Sequence, residues 1–446
     1  MTDTAPMTAS SSNSFRSNQK HNKASLCSFL LFLTIVFIAG TLVACGTIFS
    51  PLPVSIASQR HLLSLLIIIC TAISLELFVQ RSYKVEFDFA KPSAISRPAL
   101  ARICQQFVGL LICIVCLIPS VLFQPFKEVT TQLIAIILLF GGLSPFYFLL
   151  IECYGKNADR DDELLILSRF ALNPLKSIKD LKAKNVEPRK ITALLNLSRN
   201  IILKGYFVPQ LLASSLHFWA SWEHYAVGLV SNLQHGQINI ITQDTFIALV
   251  GLIHVCLIHL ASAAGTSMPF AGYLLSLRIL GNHIRSTDST FGGWLFMMLA
   301  YLPVCNLPGM FLSRTSILWP ASLWHFNQNL ILFLTSAFVS FVLINTWSDL
   351  TLGLKFSNVS YRGVVRHGPY SLVRHPAYTA KLAAWALALV PSMLTLPGFI
   401  QGAFGWFALA AIYVMRALTE ERHLSQFAEY RDYCAHVKKR FIPYII

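Results

Sequence analysis

Long apolar runs alternate with short polar, mostly basic segments along almost the whole chain. The runs fall at 26–49, 61–80, 103–123, 130–151, 201–221, 245–269, 291–312, 325–345, 379–396 and 399–415. Each is close to the roughly 20 residues that carry a helix across the hydrocarbon core of a bilayer. The pattern predicts an all-α polytopic transmembrane helix bundle of about ten spans. The last two form a C-terminal helical hairpin with Pro397-Gly398 as its turn. Beyond them Ala417, Leu424, Phe427, Cys434, Val437 and Phe441 recur at helical intervals, which predicts one amphipathic cytoplasmic helix emerging from the last span.

The same pattern divides the chain into a disordered basic tail (1–23), a four-span membrane region (24–156), a charge-rich cytoplasmic loop (157–200), central membrane spans (201–346) and a C-terminal core (347–446). The charged loop reads as a solvated surface at the lipid headgroups. No internal repeat is evident.

Composition sharpens this picture. Of the 446 residues 55% are hydrophobic and 12% charged, against about 25% charged in soluble domains. The net charge of +15 raises the question of nucleic acid, but the positions of the basic residues answer it. Threading the spans alternately from a cytoplasmic N-terminus leaves only Arg60, Lys127 and Arg314, of 35 Lys and Arg, on the far side. That asymmetry is the one basic residues adopt beside membrane spans. The expected partners are membrane lipids and a lipophilic small-molecule or lipidated substrate, with no nucleic acid. The expected location is a bacterial inner membrane with both termini in the cytoplasm.

The ten cysteines lie in apolar runs or cytoplasmic loops and form no disulfide framework. Cys113 and Cys116 read as small residues on one helix face. The segment ending at Cys45 resembles a lipoprotein cleavage box, yet the long preceding tail and the following spans favour a retained first span. Glu76, an acid within a span, is expected to face the bundle interior. His254 and His259 are five apart, which does not align ligands on one helix face, so no metal site is read from them or from His217.

Chemistry concentrates in two polar clusters flanking the hairpin, which returns the chain to the face it left. In the first, Arg362, Arg366, His367, Arg374 and His375 stand among Gly363, Gly368, Pro369 and Pro376. The backbone there must turn repeatedly and cannot be one continuous helix. Tyr370 and Tyr378 add aromatic rings with polar tips, a composition suited to a cofactor pocket. In the second, Arg416 and Glu420 are four apart on one helix face, with Glu421 about 100° round.

GPYSLVRHPAYTA, a short apolar hairpin and RALTEERHLSQFAEYRDYCAHVKKRFIP together resemble the C-terminal core of the isoprenylcysteine carboxyl methyltransferases and related bacterial phospholipid methyltransferases. The resemblance covers about the last hundred residues. It rests on GPY, RHPxY, RxxxEE and a closing YxxY…RxIP. It implies an integral membrane S-adenosylmethionine-dependent methyltransferase. Carried over by position, it makes Arg362, Gly363, Val364, Val365, Tyr370, His375, Pro376, Ala377, Tyr378 and Glu420 cofactor contacts and Arg416 a substrate contact. Where the family often has glycine after RHPxYx, this chain has Ala380, followed by Lys381.

The assignment is physically coherent, because a sulfonium favours aromatic faces and carboxylates as neighbours. A carboxylate acceptor would be oriented by Arg416 and need no base. An amine acceptor would need its proton removed, with Glu421 the nearest candidate. Two rivals stand beside this reading. Membrane sterol or enone reductases end in a similar HPxY, hairpin and tyrosine-rich tail but use a nicotinamide cofactor. A transporter or scaffold would use Glu76 and the intramembrane histidines instead. RxxxEE beside GPY favours the methyltransferase, and no glycine-rich dinucleotide fingerprint occurs.

Overall fold

Helix dominates the described chain, as the apolar periodicity requires, and its long elements pack side by side as a bundle. The computed structural model describes residues 95–122, 130–154, 163–176, 179, 187–234, 243–301, 328–390 and 396–442. The expectations for the N-terminal tail, the first two apolar runs, Cys45 and Glu76 lie outside these residues. The helices are α1 (Arg97–Leu122), α2 (Thr130–Tyr154), α3 (Glu163–Leu172), α4 (Pro188–Gln234), α5 (Gln243–Leu274), α6 (Phe291–Leu299), α7 (Gln328–Leu352), α8 (Pro376–Ala388), α9 (Leu396–Leu424) and α10 (Ala428–His436).

Among the described residues five helices, α1, α2, α5, α7 and α9, are long and apolar enough to cross a membrane. Their outward faces are bare hydrocarbon: Leu138, Phe146, Phe333 and Phe407 are each about two-thirds exposed. Such stripes are unfavourable in water and belong against lipid. The chain is a helical membrane protein.

The core lies between α4 and α5. Leu203, Phe207, Leu212 and Trp219 of α4 meet Ala263, Ala264, Met268 and Ala271 of α5, where the small side chains let the two backbones approach. Polar groups inside this seam are paired: Ser215 and Ser267 share a hydrogen bond of 2.6 Å, and the Trp219 indole donates to Ser267 at 3.3 Å. Thr346 of α7 donates to the Ala261 carbonyl of α5, which draws the C-terminal region onto this core.

Several boundaries differ from those the sequence predicts. The expected solvated loop contributes α3, whose Leu165 and Ile166 are buried and which packs on α1 and α4. The rest of that loop from Pro188 onward is the first part of α4, a 47-residue helix about 70 Å long that also absorbs the expected outer loop as far as Gln234. Pro397 and Gly398 do not form the hairpin turn; they sit in the first turn of α9, where proline's missing N–H costs nothing. α8 stops at Ala388, about 20 Å long, just ahead of Pro391, because a residue before proline is disfavoured from helical geometry. The predicted single amphipathic helix is two: α9 runs on to Leu424, the chain turns at Ser425 to Phe427, and α10 follows.

One feature of the fold is a short antiparallel ladder, β1 (Ser286–Thr287) with β2 (Ser360–Tyr361). It ties the segment after α5 to the segment after α7, two stretches the sequence places on one membrane face. α6 starts beside it, with the Thr290 hydroxyl accepting from the Gly293 N–H and the buried Asp288 accepting from the Thr290 N–H and hydroxyl.

α1 and α3 touch at Gly109. A Cβ built there would lie 2.4 Å from the Leu164 carbonyl oxygen, a backbone atom that cannot swing aside. Gly109→Ala is therefore expected to destabilise the protein by about 1 to 3 kcal/mol through overpacking, measurable by thermal unfolding of the purified variant.

Candidate active site

The two polar clusters meet. α8 begins at Pro376, and the backbone just before it pairs with the chain's end: the Arg374 N–H donates to the Lys439 carbonyl at 2.9 Å and the His375 N–H to the Arg440 carbonyl at 2.8 Å. The Thr379 hydroxyl donates to the Phe441 carbonyl at 2.9 Å. The repeated turns expected between Arg362 and His375 are present as β2, a 3-10 turn over Gly368–Ser371 and the start of α8. Gly363, with φ +104°, occupies a region that side-chain-bearing residues rarely adopt.

Around this join the charged groups separate into two sets. In the first, Glu421 is buried and ringed by two arginines and a histidine. Its Oε1 lies 3.1 Å from His375 Nε2, and its Oε2 accepts from Arg374 Nη1 and Arg440 Nε, each at 3.0 Å. One carboxylate thus clasps both clusters together.

The second set faces the bundle. Tyr378 lies parallel to the His375 ring, centroids 5.3 Å apart, and donates its hydroxyl to Glu420 Oε2 at 2.8 Å. Glu420 Oε1 has no hydrogen-bond partner among the described residues. The buried Arg416 guanidinium sits 5.0 Å from the Tyr301 ring centre and 5.1 Å from that of Tyr378. It donates through Nη2 to the Asn358 side-chain oxygen and to the Tyr301 hydroxyl. Lys381 Nζ stands 5.6 Å from the Tyr413 ring centre, and Asp349 of α7 lies within electrostatic reach of both Lys381 and Arg416.

The remaining sequence-derived positions divide likewise. Tyr370 holds the Tyr433 hydroxyl through its carbonyl at 2.7 Å. Burial, with Asp349 and Glu420 within electrostatic reach, pushes the Tyr370 hydroxyl well above its ordinary pKa, so it stays neutral. Pro376 and Ala377 are buried in the first turn of α8. Val364 packs against Tyr430, Tyr433 and Val437, and Val365 is half-buried beside it. Arg362 is different. Its side chain is buried against the Gly272 and Leu354 carbonyls, with the ends of α5 and α7 rather than with His375, Tyr378 or Glu420.

Tyr301, Asn358, Asp349, Lys381 and Tyr413 complete this cluster, and the sequence does not mark them as site residues. A signal existed for two of them, since a lysine and an aspartate at the ends of apolar runs are costly unless the bundle interior receives them. Asp349 was missed because the run was ended at Asn345, whereas α7 continues to Leu352. Tyr301 and Asn358 carry no local signal.

Elsewhere the intramembrane histidines have ordinary neighbours: His259 stacks on Tyr225 with centroids 5.0 Å apart, and His254 meets the Ser336 hydroxyl at 3.3 Å. Comparison of the chain with protein-family models, with curated proteins and with solved structures gives no match in any of the three.

Proposed function

We propose that the chain is an integral-membrane S-adenosylmethionine-dependent methyltransferase acting on a lipophilic acceptor with a carboxylate head. The observation that carries this reading is the linked set Glu420, Tyr378 and Arg416, held at the polar end of lipid-facing helices and backed by His375. S-adenosylmethionine, when bound, supplies a methyl group on a cationic sulfonium. The donor set fits such a group: Glu420, held through one carboxylate oxygen by the Tyr378 hydroxyl, keeps the other without a partner among the described residues.

Arg416 orients the acceptor carboxylate through its planar fork. A carboxylate is already deprotonated at neutral pH, so no base is required. The surroundings of Glu421 agree with this choice over an amine acceptor. Both its oxygens are already taken, one by the Arg374 and Arg440 guanidinium groups and the other by His375, which makes it a positioning group. In this reading the tail of the acceptor stays in lipid. The cluster faces the cytoplasm of a bacterial inner membrane, the side on which the Lys and Arg distribution puts both termini.

The test is calorimetric titration of the purified full chain with S-adenosylmethionine and, separately, with NADPH. Binding of the first and not the second is expected. Glu420→Gln keeps the shape but removes the charge opposed to the sulfonium, and is expected to weaken S-adenosylmethionine by about 1 to 3 kcal/mol. Binding of NADPH alone would replace the methyltransferase by the reductase reading.

A further inference from the structure

The most deeply buried cation among the described residues lies outside the Glu420–Glu421 cluster. Arg362 is 1% exposed. Its Nη1 donates to the Gly272 carbonyl at 2.6 Å and to the Leu354 carbonyl at 3.3 Å, and its guanidinium lies 4.9 Å from the Tyr273 ring centre. The Leu354 carbonyl is itself held by the buried Asn282 side chain at 3.2 Å, so the arginine is fixed from that side.

Its other two donor sites, Nε and Nη2, have no hydrogen-bond partner among the described residues. These two lie on one edge of the planar guanidinium with their N–H bonds parallel. That edge is the fork that grips two oxygens of one anionic group. Among the described residues no carboxylate forms an ion pair with Arg362. Burial pushes its pKa down only to about 10, so it remains charged at neutral pH.

The surroundings add positive charge. Lys204 of α4 is within electrostatic reach of Arg362 and, on another side, of the Glu163 carboxylate of α3, with which it forms no ion pair among the described residues, and Lys355 Nζ lies 4.0 Å from where a Cβ on Gly363 would sit. A buried cation with neither carboxylate nor full hydrogen bonding is strongly disfavoured, and a second cation beside it worsens the imbalance. Something negative completes such a site.

We propose that the unpartnered fork of Arg362, together with Lys204, binds a phosphate group. Two fixed positive charges match a phosphate better than a singly charged carboxylate. The fork takes two of its oxygens and leaves another for the lysine. The site stands apart from the Arg416–Glu420 cluster and does not rest on the methyltransferase reading. Lys204 is only partly buried, so the phosphate has two possible sources, free anion or lipid headgroup.

Thermal unfolding of the purified full chain separates them, with no cofactor present. In detergent, millimolar inorganic phosphate is compared with chloride at equal ionic strength. In parallel, the protein is reconstituted in phosphatidylcholine with and without phosphatidic acid. Phosphate is expected to raise the melting temperature in a concentration-dependent way. Lys204→Met is expected to lose that rise and, without ligand, to melt at or above the native temperature because a like charge is gone. Arg362→Lys, which keeps charge but not the fork, is expected to need at least tenfold more phosphate. A rise with phosphatidic acid alone, carrying the same variant dependence, assigns the source to the headgroup. General exclusion of phosphate from protein surfaces would stabilise all variants equally. An equal rise in native protein and Lys204→Met, or no rise with either source, overturns the proposal.

Discussion

Glu421→Ala is expected to cost the folded protein about 3 kcal/mol, toward the low end of the range for breaking a buried ion pair because Arg440 is partly exposed. The loss comes less from the missing attraction than from what remains. Arg374, with 12% of its side chain exposed, and His375, with 6%, would keep their burial and lose their carboxylate. The clasp also joins distant segments: Arg374 and His375 precede α8, Glu421 is near the end of α9, and Arg440 lies in the tail. Denaturant or thermal unfolding gives the loss. A cycle with Arg374→Met separates it from other effects, since removing both partners should cost less than the two single losses together. A Glu421 that acted as a general base would behave otherwise, with turnover falling while stability held.

Arg416→Lys is expected to lower kcat/KM for methyl transfer about a hundredfold, or about 2.7 kcal/mol, the loss seen when one preorganised donor is removed from an active site. The guanidinium lies near two tyrosine rings and donates to Asn358 and Tyr301. An ammonium keeps the charge but has neither the plane that faces those rings nor the fork that grips a carboxylate. Affinity for S-adenosylmethionine should stay near that of the native protein. If it collapses instead, Arg416 belongs to the cofactor pocket and its role toward the acceptor must be dropped.

Hydrophobic pattern and the placement of Gly and Pro determined that this is a helical membrane protein and that the Arg362 to Tyr378 stretch turns repeatedly. These properties follow from periodicity and from the backbone limits of Gly and Pro, which act over a few residues. The partnership of RHPxY with RxxxEE was legible too, because a hairpin returns the chain to its starting face. His375 and Glu421 do meet.

Tertiary structure decided the rest. Glu420 and Glu421 are neighbours of one chemical type, and only packing gives them different surroundings, a tyrosine hydroxyl for one and two arginines with a histidine for the other. Arg362 and Arg416 look equally suited to a pocket in sequence. One is turned into the α4–α5 core, while the other joins Tyr301 and Asn358, residues 115 and 58 positions away. Helix ends were also settled at long range. The extension of α7 to Leu352 brings Asp349 inward, and the packing of α4 on α5 brings Lys204, inside a run the sequence does predict, near Arg362. Polar groups near a membrane interior are placed by whichever partners the whole bundle can bring within hydrogen-bonding distance, and no local stretch of sequence contains that choice.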